Sequence, residues 1–156
     1  MSSFTFTVHK PASIRYPQKL LNRLQEMLKQ HDIARRKNVH ASLVWVGEKR
    51  MARLQAAYRG KSAATNVLTF PYERVGDSYQ TDIVLCRNVI AKDAKKRKVT
   101  LEQETTHLIL HGLLHVLGFE HHTARGRMKM ETLEQMLLED IFGRSFKDLH
   151  GISDGA

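Results

Sequence analysis

The sequence contains few of the residues and segments that define several protein classes. Its 156 residues include one cysteine and three prolines. The single cysteine, Cys86, excludes an internal disulfide framework and is compatible with a reducing compartment. No apolar run reaches the roughly 18 residues that a membrane-spanning helix needs. The first ten residues also lack the charged start and apolar core of a secretory signal peptide. We therefore expect a cytoplasmic protein with no membrane partner.

Acidic residues are scarce relative to basic ones. The chain has 25 Lys and Arg residues against 16 Asp and Glu, a net charge of +9 with neutral histidines. This excess favours a polyanionic partner, of which nucleic acid is the commonest. A hydrophobic content of 42% excludes a disordered or fibrous chain. The length is typical of one domain, so we predict a single domain over residues 1–156.

Hydrophobic periodicity predicts strands early in the chain and helices late, which is typical of an α+β domain. Alternating residues predict strands at 4–8, 39–46, 66–70 and 81–86, with Pro71 ending the third strand and a turn at 76–78. Apolar stripes and capping residues predict helices after Pro17 and near 48–57, 87–94, 100–117 and 123–142. Cys86, at the end of an apolar strand, is predicted to be a small core residue.

A cluster of histidines provides the clearest chemical signal. Five of the nine histidines lie between positions 107 and 122. His111 and His115 are four residues apart, so on a helix they share one face and both imidazoles can reach one ion. Gly118 tolerates the left-handed conformation that ends a helix, so that His121 can complete a three-histidine site. Three neutral nitrogen ligands are typical of catalytic zinc. We predict one metal ion per chain at these three histidines.

Alternatives to this three-histidine site remain open. The three histidines could instead be isolated polar residues on an amphipathic helix, but burial of three unpaired imidazoles on an otherwise apolar helix would be costly. His107, one turn before His111, either extends the ligand row or, as we favour, supports the ligands or packs nearby. His122 competes with His121 for the third position.

The histidine spacing equals that of the long zinc-peptidase signature H-E-x-x-H-x-x-G-x-x-H. That signature requires a glutamate after the first histidine as the general base, and this chain has Gly112 there. A peptidase of that mechanism is therefore disfavoured. Glu120 and Glu104 are alternative acids, but spacing places neither of them at the site.

The segment from His111 to His121 closely resembles the H-G-x-L-H-x-x-G-Y-D-H signature of the YbeY endoribonucleases, the bacterial rRNA maturation factors. Residues 58–61 and 65–71 resemble the family's Y-R and T-[DN]-V-L-S-F-P blocks, and residues 82–85 resemble its G-D-I-x-I strand. The blocks keep the family's order over about residues 45 to 140. This chain departs mildly from the family pattern with Thr69, Thr81, Phe119 and Glu120 in place of Ser, Gly, Tyr and Asp.

The resemblance implies a small mixed β-sheet packed against several helices, with the metal motif on a central helix and the turn after it. It implies Zn²⁺, or another divalent transition metal, on the three histidines. It also implies cleavage of single-stranded RNA, with a role in 16S rRNA 3′-end maturation and ribosome quality control. The family motif marks Arg59 as a catalytic cation, since its planar guanidinium can hold two phosphate oxygens. Without the resemblance, Arg59 would be interpreted as a surface residue.

The expected partner is therefore RNA, in the form of a ribosome-associated rRNA precursor, and the sequence assigns no protein partner. Two basic stretches are candidates for tracking its backbone. The first contains Lys49, Arg50, Arg53, Arg59 and Lys61, and the second contains Lys92, Lys95, Lys96, Arg97 and Lys98. Two rival function classes remain: a zinc peptidase-like hydrolase, and a non-catalytic RNA-binding protein of ribosome biogenesis with a stabilising metal.

Overall fold

A computed structural model describes residues 3–34, 37–70, 72–120 and 122–143. Pro71, the predicted end of the third strand, lies outside these residues. The elements within them are β1 (Ser3–His9), α1 (Gln18–Gln30), β2 (Asn38–Trp45), α2 (Glu48–Arg59), β3 (Val67–Thr69), β4 (Glu73–Val75), β5 (Ser78–Leu85), α3 (Arg87–Arg97), α4 (Leu101–Val116) and α5 (Ala124–Phe142). The predicted α+β class is confirmed.

The sheet is mixed and is built around β5. On one side β5 pairs in parallel with β2, which in turn pairs in parallel with β1. On the other side β4 and β3 pair antiparallel with successive parts of β5, so that β3 forms an edge of the sheet. The crossover helix α1 allows β1 and β2 to run parallel, whereas the short turn at Gly76 joins β4 to β5 as a hairpin. The sequence did not predict β4, because all three of its residues are exposed and give no alternating pattern.

The two faces of the sheet carry different helices. Ile83 and Leu85 of β5 belong to the main core, which includes buried residues of α1, α4 and α5. Val84, between them, belongs to a smaller core with Met51 of α2 on the opposite face. Most residues of α4 are buried, and Leu108 is one of those with no solvent-exposed surface. The helix that carries the histidines is thus central, as predicted. Among the described residues, no helix is both long and apolar enough to cross a membrane.

Hydrogen bonds fix both ends of α4. Thr100 forms a capping box with Gln103, in which each side chain accepts the other residue's backbone N–H, at 3.0 and 2.9 Å. At the carboxyl end Gly118 has a φ of +96°. The N–H of Gly118 donates to the carbonyl of His115 and that of Phe119 donates to Leu114, both at 3.0 Å, which is a Schellman motif. The predicted stop at Gly118 is confirmed.

Candidate metal centre

His111 and His115 face each other from successive turns of α4. Their Nε2 atoms lie 3.1 Å apart, and the rings meet edge to face with centroids 4.6 Å apart. An ion about 2.0–2.1 Å from each nitrogen requires the two nitrogens to lie roughly 3.0–3.5 Å apart. His111 is 6% exposed and His115 is half-buried, so one edge of the pair remains accessible. The pair fits a zinc-like divalent ion in both donor type and spacing.

A buried carboxylate from α5 lies behind this pair. Oε1 of Glu134 lies 3.3 Å from Nδ1 of His111, and Oε2 lies 2.6 Å from Nε2 of His107. Burial opposes ionisation of Glu134, but the hydrogen bonds from His107 and His111 outweigh it and lower the pKa of Glu134 to about 2. Burial also lowers the pKa of His107, against the effect of Glu134, which favours the neutral imidazole. His107 therefore contacts the same carboxylate as His111, and its role as a supporting residue stays a prediction.

The third predicted ligand, His121, lies outside the described residues. Its neighbour His122 is exposed. Within residues 3–34, 37–70, 72–120 and 122–143, no group of three His, Cys, Asp or Glu side chains is arranged to hold a metal ion. The described part of the site therefore consists of the His111–His115 pair and the turn at Gly118.

Gly112 packs directly against the sheet. A Cβ atom at this position would lie 2.7 Å from Oγ1 of Thr69 on β3 and 3.2 Å from Cδ1 of Ile83 on β5. Both distances are shorter than ordinary van der Waals contact, so α4 lies too close to the sheet for a side chain here. A side chain at the position that carries the general base in zinc peptidases would thus require Thr69 or Ile83 to shift.

The acids considered from the sequence lie in different surroundings. Glu104 is buried near the start of α4, where it lies 3.4 Å from Nε of Arg97. That ion pair joins α3 to α4 and contributes to packing, which removes Glu104 from consideration as a base. Arg97 is therefore wrongly included in the second basic stretch, because its side chain is only 12% exposed and faces the protein interior. Spacing alone could not reveal this pair, since it depends on how two helices pack. Glu120 is exposed, immediately before His121.

Arg59 is the last residue of α2 and is exposed. The next residue, Gly60, ends the helix in the left-handed conformation with a φ of +67°. The ring of Tyr58 contacts that of Phe70 edge to face, with centroids 4.7 Å apart. Phe70 directly follows β3, whose Thr69 approaches Gly112. The carboxyl end of α2 therefore lies beside the edge strand whose other face contacts the histidine helix.

Three of the described segments carry closely spaced, exposed basic side chains. All five residues of the first predicted stretch are exposed, and so are the four lysines of the second. A third segment, which sequence reasoning missed, opens α5 directly after the histidine motif: Arg125, Arg127 and Lys129 are all exposed. The signal was present in the sequence, because residues 124–130 contain three basic residues and no acid.

Two other residues of the motif regions have structural roles. Cys86 is fully buried, and burial raises the pKa of its thiol, so the prediction of a core residue is confirmed. Asn66 is also buried, and its side chain donates to Asp93 of α3 at 2.9 Å while accepting the Val67 N–H at 2.7 Å. Asn66 thus connects the start of β3 to α3.

Comparison with known proteins agrees with this arrangement. The protein named endoribonuclease YbeY of Polynucleobacter asymbioticus is 46% identical over 89 residues, which are 57% of this chain and 57% of that protein, less than two thirds of its length. The protein of the same name from Janthinobacterium sp. is 35% identical over 139 residues, 83% of this chain and 88% of that protein. That of Bartonella henselae is 38% identical over 112 residues, 69% of each chain.

The fold has a solved counterpart. The solution structure of TM1509 from Thermotoga maritima matches with a TM-score of 0.59 and 23% identity, covering 97% of this chain and 99% of that one. The family model described as endoribonuclease YbeY matches residues 7–142, which confirms the resemblance seen in the motifs. The chain belongs to the YbeY endoribonuclease family.

Proposed function

We propose that this protein is a metal-dependent endoribonuclease that cleaves single-stranded RNA in the maturation of the 16S rRNA 3′ end. Family membership supports an endoribonuclease role in rRNA processing. The observation that carries the metal-dependent chemistry is the approach of the two Nε2 atoms of His111 and His115 to 3.1 Å on a buried helix. Ribosome quality control is the expected cellular setting, and the cytoplasm the expected location.

The ligands of the proposed ion are His111, His115 and His121, with one ion per chain and Zn²⁺ as the expected metal. Another divalent transition metal would suit the same nitrogen donors. When bound, such an ion polarises a phosphoryl oxygen and lowers the pKa of a coordinated water to about 7. The histidines supply neutral nitrogen donors, and Gly118 turns the chain so that position 121 can return toward the pair.

Arg59 is the proposed catalytic cation. Cleavage of a phosphodiester places additional negative charge on the phosphoryl oxygens, and a guanidinium can hold two of those oxygens at once. Two features of the chain support this role. Arg59 ends α2 beside the edge strand β3, and Tyr58 is held there by Phe70. Arg59 is also exposed at the protein surface.

The RNA strand is expected to contact the protein through exposed cations. The segment that opens α5 (Arg125, Arg127 and Lys129) directly follows the histidine motif and is the segment that we expect to contact the strand nearest the metal. The exposed cations of the stretches on α2 and α3, which exclude Arg97, would extend this contact along the RNA backbone. Since the five described strands form one sheet and share a core with α1, α4 and α5, we also propose that residues 1–156 form one domain.

The peptidase alternative loses its support in the structure. A glutamate at position 112 would collide with Thr69 and Ile83, and Glu104 is paired with Arg97. The non-catalytic alternative differs from the proposal only in turnover, so an activity assay separates the two.

The test uses purified protein, a single-stranded RNA that contains the 3′ end of a 16S precursor, and the same RNA annealed to its complement. We expect cleavage of the single strand, loss of cleavage with a chelator, and recovery when zinc is restored. The duplex should resist cleavage, and casein should remain intact. Specific RNA binding without any cleavage in the zinc-restored protein would instead establish the non-catalytic alternative.

A further inference from the structure

Glu134 is a buried acid with two histidine contacts. The residue is 3% exposed, and its two carboxylate oxygens contact different imidazoles of α4. Burial of an ionised carboxylate is costly unless hydrogen bonds compensate for its lost hydration. Here one compensating partner, His111, is a ligand of the proposed metal. The second partner, His107, lies one helical turn before it.

The contacts occupy opposite sides of the His111 ring. Glu134 lies at Nδ1, at 3.3 Å, while Nε2 faces His115 at 3.1 Å. A carboxylate can only accept a hydrogen bond, so the proton of a neutral His111 must be on Nδ1. This tautomer leaves the lone pair of Nε2 directed toward the position between the two histidines.

We propose that Glu134 is a positioning residue of the metal site, which fixes the tautomer and the ring orientation of His111, and that His107 holds the Glu134 carboxylate in place. The inference rests on the proposed function, since it assigns Glu134 a role toward the ion at His111 and His115. Its physical basis is general: a carboxylate behind a metal-binding imidazole orients the ring and raises its basicity.

Two features of α5 support this assignment. Leu137 and Leu138, in the turn after Glu134, are fully buried, so the backbone that carries the carboxylate is anchored in the core. The 2.6 Å contact with His107 then restrains the carboxylate itself. The support for His111 thus comes from an element outside the helix that carries the pair.

The first test measures metal affinity rather than cleavage. Glu134→Gln keeps the size of the side chain but replaces one acceptor oxygen by a donor NH₂ group. We expect the Kd for Zn²⁺, from competition with a chromophoric chelator, to rise about 10–100-fold. The Co²⁺ absorption spectrum should change in band position or intensity, because the orientation of one ligand is altered. Stoichiometry should remain one ion per chain at saturating metal.

Glu139→Gln is the matched control. Glu139 lies on the same helix, but its carboxylate accepts a hydrogen bond from the side chain of Gln135. Its Kd and Co²⁺ spectrum should equal those of the wild type. A wild-type Kd in Glu134→Gln would overturn the positioning role while leaving the proposed function intact. Failure of the wild-type protein itself to bind Zn²⁺ or Co²⁺ would overturn both.

The second test needs no substitution and therefore does not depend on the folding of a variant. Long-range ¹H–¹⁵N spectra of the imidazoles in the metal-stripped wild-type protein report which ring nitrogen carries the proton. We expect His111 to be the Nδ1–H tautomer and His107 to be the Nε2–H tautomer. An Nε2–H tautomer at His111 would overturn the inference.

Discussion

The Cα of Gly112 lies so close to Thr69 that a Cβ atom on the helix would be 2.7 Å from the threonine hydroxyl oxygen. This approach presses α4 onto β3 and β5 at the residue immediately after the first histidine of the pair. It gives a physical reason why exchanging the glycine of the YbeY signature for the glutamate of zinc peptidases would be unfavourable here. The same contact brings the histidine helix against the edge strand that adjoins the end of α2.

Substitution of Gly112 by alanine should destabilise the protein. An added methyl group in a tightly packed site typically costs about 1–3 kcal/mol, whereas the higher helix propensity of alanine returns at most about 1 kcal/mol. The free energy of unfolding, measured in urea, should therefore fall. In a Thr69→Ala background, the same Gly112→Ala substitution should cost less stability, because the clashing oxygen is absent. A Gly112→Ala protein at least as stable as the wild type would disprove the tight contact.

Removal of His115 should abolish metal retention. We expect about one ion per chain in the wild type after dialysis and almost none in His115→Ala, because a pair of donors is reduced to one on α4. His9→Ala is the control, since His9 is exposed at the end of β1. Metal content by mass spectrometry of dialysed samples measures the difference. Full occupancy in His115→Ala would show that the ion, if any, is bound elsewhere.

Loss of the Arg59 side chain should separate catalysis from metal binding. Arg59→Ala should lower the cleavage rate by on the order of 10²–10³-fold, the usual effect of removing one electrostatic contact to a transition state. Metal content and melting temperature should stay at wild-type values. Arg59→Lys should recover only part of the rate, because an ammonium cannot form a two-pronged contact.

Arg23→Ala is the control for this experiment, since Arg23 is an exposed arginine on α1, outside the three basic segments. It should cleave nearly as fast as the wild type. Wild-type cleavage by Arg59→Ala would refute the catalytic assignment, and loss of its metal or its fold would make the residue structural.

The affinity for single-stranded RNA should depend steeply on salt. Each phosphate neutralised by the exposed cations contributes a slope of about −0.7 to the plot of log K against log salt concentration. The measurement uses a catalytically inactive His115→Ala protein, which keeps the basic surface. Replacement of Arg125, Arg127 and Lys129 by glutamine should reduce the slope. An affinity that does not change between low and physiological salt would mean that the net charge serves another purpose.

Tyr16 should contribute to stability at neutral pH and lose that contribution in strong alkali. Its hydroxyl forms a hydrogen bond with the hydroxyl of Thr106 in the core, and burial raises the pKa of Tyr16 from 10.0 to about 12. Because the folded-state pKa is the higher one, the contribution is complete below pH 10 and disappears as the pH rises to 12. The loss amounts to roughly 2–3 kcal/mol for a shift of that size. Between these pH values, the stability of wild type should fall more steeply than that of Tyr16→Phe, whereas parallel curves would contradict the raised pKa.

Features encoded by neighbouring residues could be predicted from the sequence. The His111–His115 spacing, the stop at Gly118 and most of the helices and strands depend on patterns within one or two turns, and the structure agrees with them. Glu134 could not be predicted, because it meets His111 across 23 positions through the packing of α4 on α5. A weaker signal existed, since this acid adjoins the apolar stripe of Met130, Leu133 and Leu137. The Arg97–Glu104 pair was missed for the same reason.

The central claim is that an ion at the histidine pair drives RNA cleavage, and a zinc titration of metal-stripped protein tests it most directly. Single-stranded RNA is the substrate, and the cleavage rate is plotted against the zinc bound per chain. The account predicts no cleavage at zero occupancy, a linear rise, and a plateau at one ion per chain, with His115→Ala inactive throughout. Full cleavage by the metal-stripped protein, or wild-type cleavage by His115→Ala, would contradict it.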